Sequence, residues 1–311
     1  MKKTTRTVIS LSLVLCMVFA LSACGLATDT PMGVLTRTAL ALRNKDSVSL
    51  DMEIPFSITV SATILGQELS MDLPLTLDID SKLNGGNSHS FISISSDDLG
   101  SSTTESYSEK TETSMIVYTA PYGDDKWYKT ETEIDGEGVS LSDLSVTELF
   151  ALGKQLKEVL ENASMERSGD LYVITVPIRD IMANEYISEW IYSSVGQALS
   201  KSGSETFTEE KAAAVLALLN DSDLKLEIAS DTFYPVSAGI SETAIDGEAL
   251  SSLLDPEEGI AAEIAPYLSN LKATISLSCA ISDIGETDAA SVTVPDEIRE
   301  AAVESVLSAK A

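Results

Sequence analysis

The stretch LDMEIPFSITVSATI, residues 50–64, decides how this chain is built. Every even position is apolar: Leu50, Met52, Ile54, Phe56, Ile58, Val60, Ala62 and Ile64. The odd positions hold Asp51, Glu53, Pro55, Ser57, Thr59, Ser61 and Thr63. A period of two over that length marks a strand with one face in a core and the other in water. After Leu65-Gly66-Gln67 the phase inverts, and Leu69, Met71, Leu73, Leu75, Leu77 and Ile79 alternate with Ser70, Asp72, Pro74, Thr76, Asp78 and Asp80. Two such runs around a tight turn predict an antiparallel ribbon. Laid flat, the first run would reach about 50 Å at ~3.3 Å per residue, longer than ordinary domain dimensions. The ribbon is therefore expected to twist and curl, with breaks near Pro55 and Pro74. A curled sheet with one apolar face has a concave side that something must fill.

Weaker strand signals lie on either side of a helical region: residues 89–95, 115–120, 126–132, 172–178, 224–229, 236–245, 274–282 and 291–294. Residues 96–114, rich in Ser, Thr and Glu, read as an exposed excursion or an edge. Helical patterns cover residues 33–43, 145–162, 179–200, 208–219 and 297–307, with helical turns at 250–268. The second opens with a capping box, Ser145 and Glu148. The third carries Ile181, Met182, Tyr186, Trp190 and Ile191 along one side. The fold class expected is α+β: a strongly curved antiparallel β-sheet, a half-barrel, with helices packed on its concave side.

The chain starts with Lys2, Lys3 and Arg6, continues through an apolar run from Val8 to Ala20, and reaches Leu21-Ser22-Ala23-Cys24. That order predicts a secretory signal peptide, whose apolar run is too short for a permanent bilayer span. The expected organisation is a signal peptide over residues 1–23 and a tether over 24–32. One β-rich domain follows over 33–311, with a helical insertion at about 179–219. A flexible tether of this length reaches about 15 Å, so the folded part is expected close to the membrane.

The 311 residues carry 49 acids against 20 Lys and Arg, a formal charge of −29. Losing the signal would remove three bases and no acid. An excess of this size argues against nucleic acid as a partner and against a polybasic grip on anionic headgroups. Three cysteines occur. Cys16 leaves with the signal and Cys24 ends the leader motif, so Cys279 has no partner for an internal disulfide.

Catalytic signatures are absent from the sequence. His89 is the single histidine, in the setting of an ordinary surface residue, and no G-x-S-x-G, H-E-x-x-H or phosphate-cradling glycine loop occurs. Asp78-Ile79-Asp80-Ser81-Lys82 fails as a calcium loop, with Lys82 where an oxygen ligand is needed and Leu83 where the turn needs glycine. Cys279 alternates with apolar residues and reads as a small buried hydrophobe. No enzyme, metal or cofactor is expected.

Leu21-Ser22-Ala23-Cys24 resembles the lipobox of bacterial lipoproteins, and the resemblance implies a diacylglycerol on the Cys24 thiol with cleavage just before it. The order of helix, long hairpins, helical insertion and further antiparallel strands is similar to the LolA/LolB-type carriers and the LppX/LprG-type lipoproteins. The closing stretch, Ile275 to Ile298 with Ser282-Asp283-Ile284 and Val292-Thr293-Val294-Pro295-Asp296-Glu297-Ile298, is similar to the end of an uncharacterised branch of lipoproteins of that superfamily. That likeness implies a curved sheet enclosing an apolar cavity for acyl chains, and no catalytic residue. The long helical insertion and the acidity depart from the pattern.

Two functional readings follow. In the first, an extracytoplasmic lipoprotein, anchored to the bacterial cell membrane, binds a lipid or other apolar ligand. Met52, Ile54, Phe56, Ile58, Met71, Leu73, Leu75 and Trp190 would line the cavity, with the helix of Trp190 as a lid. In the second, these residues form a plain core, and the protein is an envelope scaffold that meets a protein partner through residues 96–114 or its acidic surface.

Overall fold

The computed structural model describes residues 29–43, 45–64, 67–96, 100–111, 113–124, 126–133, 155–185, 187–189, 191–192, 213–214, 216–247 and 271–304. Among them β1 (Ser47–Ile64) and β2 (Gln67–Asn84) form the expected ribbon, paired without a slip from Ser47 opposite Asn84 to Ile64 opposite Gln67. Even positions of β1 therefore face odd positions of β2, which is the phase inversion read in the sequence. The chain then meanders through β3 (Asn87–Ser96), β4 (Gly100–Lys110), β5 (Ser114–Ala120) and β6 (Tyr128–Glu133). A second meander runs through β7 (Ser164–Ser168), β8 (Leu171–Pro177), β9 (Asp223–Ala229), β10 (Pro235–Asp246) and β11 (Leu271–Ser282). β11 returns to pair with β1, and two-residue β12 (Val303–Glu304) joins β6 in parallel. The result is a large open sheet of order β12-β6-β5-β4-β3-β2-β1-β11-β10-β9-β8-β7, antiparallel at every other junction.

Both ribbon prolines sit where a missing N–H does little harm. Pairing of β1 with β11 lapses between Glu53 and Phe56, at Ile54-Pro55, without a register shift. β3 pairs with β2 only from Thr76 onward, so Pro74 lies beyond the reach of β3.

Helix α1 (Pro31–Leu42) begins two residues inside the stretch expected to be a tether. Its start has a physical cause. The Thr30 hydroxyl accepts the Gly33 N–H at 3.1 Å, and Pro31 occupies the first turn, where no N–H is needed. Val34, Leu35 and Leu42 of α1 pack onto Val48, Leu50, Leu83, Ile281, Leu226, Ile228, Tyr172 and Ile174. Two threonines, Thr36 and Thr38, are buried with them, satisfied by the carbonyls of Met32 at 2.8 Å and Val34 at 3.1 Å. Each fully buried aliphatic side chain contributes about 1.5–3 kcal/mol, so among the described residues this cluster is the larger source of stability.

A second cluster lies on the other face of the sheet. Tyr107 and Tyr118 face each other across β4 and β5, and pack under Val294 and Ile298. Ile298 belongs to α3 (Asp296–Ala301), which Arg299 ties down by donating to both carboxylate oxygens of Glu109 at 3.1 Å. Register carries the face assignment: Tyr107 opposes His89, His89 opposes Lys82, and Lys82 opposes Ser49, an odd position of β1. Helices thus cover opposite faces in different parts of the sheet, where a single concave side was expected to hold them.

Four further expectations need correction. Residues 96–114 are mostly strand β4, bonded on both edges to β3 and β5. Hydroxyl pairs hold it: Ser88 with Ser108 at 2.6 Å, and Ser93 with Thr103 at 2.9 Å. The helix expected over 179–200 breaks after α2 (Ile178–Met182). Asn184 stops it and caps the next turn, its side-chain oxygen accepting the Ile187 N–H at 3.2 Å. The strand expected at 291–294 is instead a 3₁₀ turn, Ala289–Val292, capped by Asp288, whose side chain accepts the Ala290 N–H. The helix expected to reach 307 ends at Ala301, because the Val303 N–H is drawn to the Trp127 carbonyl at 3.0 Å beside β6. Strand β7 was not anticipated. The expected helical turns at 250–268, most of 208–219, and residues 145–154 with their capping box lie outside the described residues.

Candidate functional site

Six of the proposed lining residues lie on one face of the ribbon. Phe56 opposes Leu75, and Ile58 opposes Leu73; Met52 and Ile54 precede them on the same face, opposite Ile79 and Leu77. All of these are half-buried. Met52 packs against the α1 core, whereas Ile54, Phe56, Ile58, Leu73 and Leu75 lie beyond it. The backbone of Met71 opposes Val60, and its side chain lies outside the described residues, as do Trp190 and Cys24.

Register adds members that the sequence reading left out. On β11, Ile275 opposes Phe56, and Ala273 opposes Ile58. On β3, Ile94 opposes Leu77 and Ile92 opposes Ile79. Ile94 is 51% exposed, a large aliphatic side chain open to water beside the ribbon. The apolar strip gives way to hydroxyls on β4, where Ser102 and Thr104 face Ile94 and Ile92. The alternation in Phe91-Ile92-Ser93-Ile94 was visible in the sequence. Which face it served was not.

Among the described residues, almost no free volume lies where α1 covers the sheet. Leu35, Leu156, Val159, Leu160, Val176, Ile181, Ile187 and Leu226 enclose about 10 Å³, room for one water-sized sphere. An apolar ligand of drug size needs several hundred Å³. This part of the interior is a packed core, and a ligand would have to lie farther along the ribbon.

Cys279, opposite Met52, is buried as expected. Burial, reinforced by the charge of Asp51, pushes its thiol above the ordinary value and disfavours the nucleophilic thiolate. His89 departs from expectation. It is a half-buried residue, its side chain 16% exposed, with Nε2 donating to Glu105 at 2.8 Å. Its ring stacks on Tyr107 with centroids 4.0 Å apart and planes 5° from parallel. The hydrogen bond and the stacked ring hold β3 to β4 on the face opposite the apolar strip. Burial, then the charge of Glu105, raises the Tyr107 phenol; burial, then Glu109, raises Tyr118. A phenol held above its unfolded value contributes stability below pH ~10 that is lost as pH climbs through the folded value.

Among the described residues, no three His, Cys, Asp or Glu side chains converge as a metal site, and no helix is long and apolar enough to cross a membrane.

Comparison with known families matches residues 30–245 to a family of unknown function, DUF6612. The chain belongs to this family. The DUF6612 match opens at Thr30, the cap of α1, and closes at Ile245 in β10. It takes in both ribbon strands and leaves out β11, the second neighbour of β1. No curated protein matches the chain. Among solved structures, it is similar to a DUF1329 family protein from Desulfovibrio piger, with 11% identity, 85% of this chain and 95% of that chain covered, and a TM-score of 0.23. It is also similar to a LolA superfamily protein from Nitrosomonas europaea, with 10% identity, 87% and 97% coverage, and a TM-score of 0.20.

Proposed function

We propose that this DUF6612 chain is an extracytoplasmic lipoprotein, anchored to the bacterial membrane through Cys24, that binds a lipid or other apolar ligand and catalyses no reaction. The observation that carries the reading is the apolar strip of Ile54, Phe56, Ile58, Leu73, Leu75 and Ile94, which runs past the α1 core on one face of the sheet and stays partly open. Leaving this much aliphatic and aromatic surface half-covered is unfavourable at roughly 25 cal/mol per Å², and a ligand or partner that covers it recovers that energy. Bending of the sheet around such a ligand is supported by two irregularities in β10, between Ile240 and Thr243 and between Pro235 and Ser237, and by the lapse at Ile54-Pro55.

The test is titration of the full-length protein with a fluorescent long-chain fatty acid. Saturable binding with a blue-shifted emission is the expected result, and a linear, non-saturating response would contradict the reading. The filled core beneath α1 favours a second reading, an envelope scaffold without a ligand. In that case the partner would meet the acidic surface or the side-chain faces of residues 96–114, since the edges of β4 are already bonded to β3 and β5.

A further inference from the structure

We infer that the end of the sheet carrying the β7–β8 and β9–β10 turns is the surface that faces the lipid bilayer; this rests on the anchoring through Cys24 proposed above. Reach decides which end lies near the membrane. Asp29 stands five residues after Cys24, and five residues extend at most about 18 Å. Whatever path they take, Asp29 stays that close to an acylated Cys24. The structure fixes Asp29 to one place in the fold. Its carboxylate accepts from Arg37 Nη2 at 3.0 Å and from the Tyr172 hydroxyl at 3.3 Å, and these contacts hold it below the ordinary carboxylate range.

Both partners belong to a larger assembly at this end. The Arg37 guanidinium lies 4.4 Å over the Phe233 ring, and Phe233 stacks on Tyr172 with centroids 6.1 Å apart. Arg167 approaches the Tyr172 ring at 5.7 Å and donates to the Gly169 carbonyl at 3.3 Å. Phe233 holds a positive φ of 58°, a conformation that bulky L-residues avoid. The ring stack under Arg37 is what that conformation secures. Asp29 thus stands beside Tyr172 at the start of β8, and Arg37 joins it to Phe233 in the turn before β10. Here Asp29, Asp170 and Asp231 stand against Arg37, Arg167 and Lys45, whose Nζ lies 5.8 Å from the Tyr234 ring, so these charges balance and the orientation comes from the short tether and not from attraction to anionic headgroups.

The test uses full-length, acylated protein in vesicles of phosphatidylethanolamine and phosphatidylglycerol that carry a headgroup quencher. A fluorophore is placed at either end of β9, on Asp231→Cys in the β9–β10 turn or on Asp221→Cys before the strand; both sites are exposed. Buried Cys279 stays unlabelled. Quenching several-fold stronger at position 231 is the expected result. Equal or reversed quenching, in protein that floats with the vesicles, overturns the orientation and leaves the anchor standing. Protein that fails to float overturns the anchor, and the orientation with it. Adding Arg37→Ala should narrow the contrast between the two labels, and an unchanged contrast overturns the role given to that contact.

Discussion

Leu35→Ala should lower the free energy of unfolding by about 2–5 kcal/mol, the range for truncating a large aliphatic side chain in a packed interior. Leu35 is 0% exposed, on the face of α1 that meets the sheet. It also borders the one small void described there, so the truncated side chain enlarges a gap that the surrounding Leu, Val and Ile residues already fail to close. Leu40, on the same helix and 46% exposed, provides the control, and Leu40→Ala should change stability by less than about 0.5 kcal/mol. Urea titration of both variants distinguishes the two, since a shifted midpoint at constant slope reports stability alone. A loss under about 1 kcal/mol for Leu35→Ala would mean that α1 rests on the sheet without forming part of its core.

Phe56→Asp should weaken fatty-acid binding at least about tenfold, equivalent to 1.4 kcal/mol. Phe56 is the middle of the apolar strip, with Leu75 across one ladder and Ile275 across the other. A carboxylate there would have to lose water when an acyl chain covers the strip, and its cross-strand neighbours Leu75 and Ile275 cannot replace that hydration. Because the site is half-buried in the free protein, the new charge still reaches solvent, and unfolding should shift by only about 1 kcal/mol. Ser57→Asp places the same charge one residue on, on the opposite face, and should leave binding unchanged. Equal binding by wild type and Phe56→Asp would remove the ligand from this face.

The sequence exposed the ribbon because both strands are long and each needs only its own alternation to be read. Strand β4 was hidden for the opposite reason. Its Ser and Thr residues have no apolar period, and they favour a strand only once Ser88 and Ser93 stand across from them. The break at Asn184 had a visible cue, a capping residue inside an apolar stripe, which the strength of the stripe outweighed. The two opposed clusters could not be foreseen. Whether Tyr107 shares a face with Leu50 depends on register carried across β2 and β3, and a shift of one residue in any of the three ladders between β1 and β4 would reverse it. The candidate strip was legible in part: Phe56, Ile58, Leu73 and Leu75 follow from the ribbon alone, while Ile94 and Ile275 join only through pairing with β3 and β11.

The sharpest check is native mass spectrometry of the full-length protein, taken gently from the membranes in which it is made. A species heavier than the acylated chain, which loses a lipid-sized mass under collisional activation, is the result expected. A single species at the mass of the acylated chain, at every activation energy, would contradict the claim that the open face of the ribbon holds an apolar ligand.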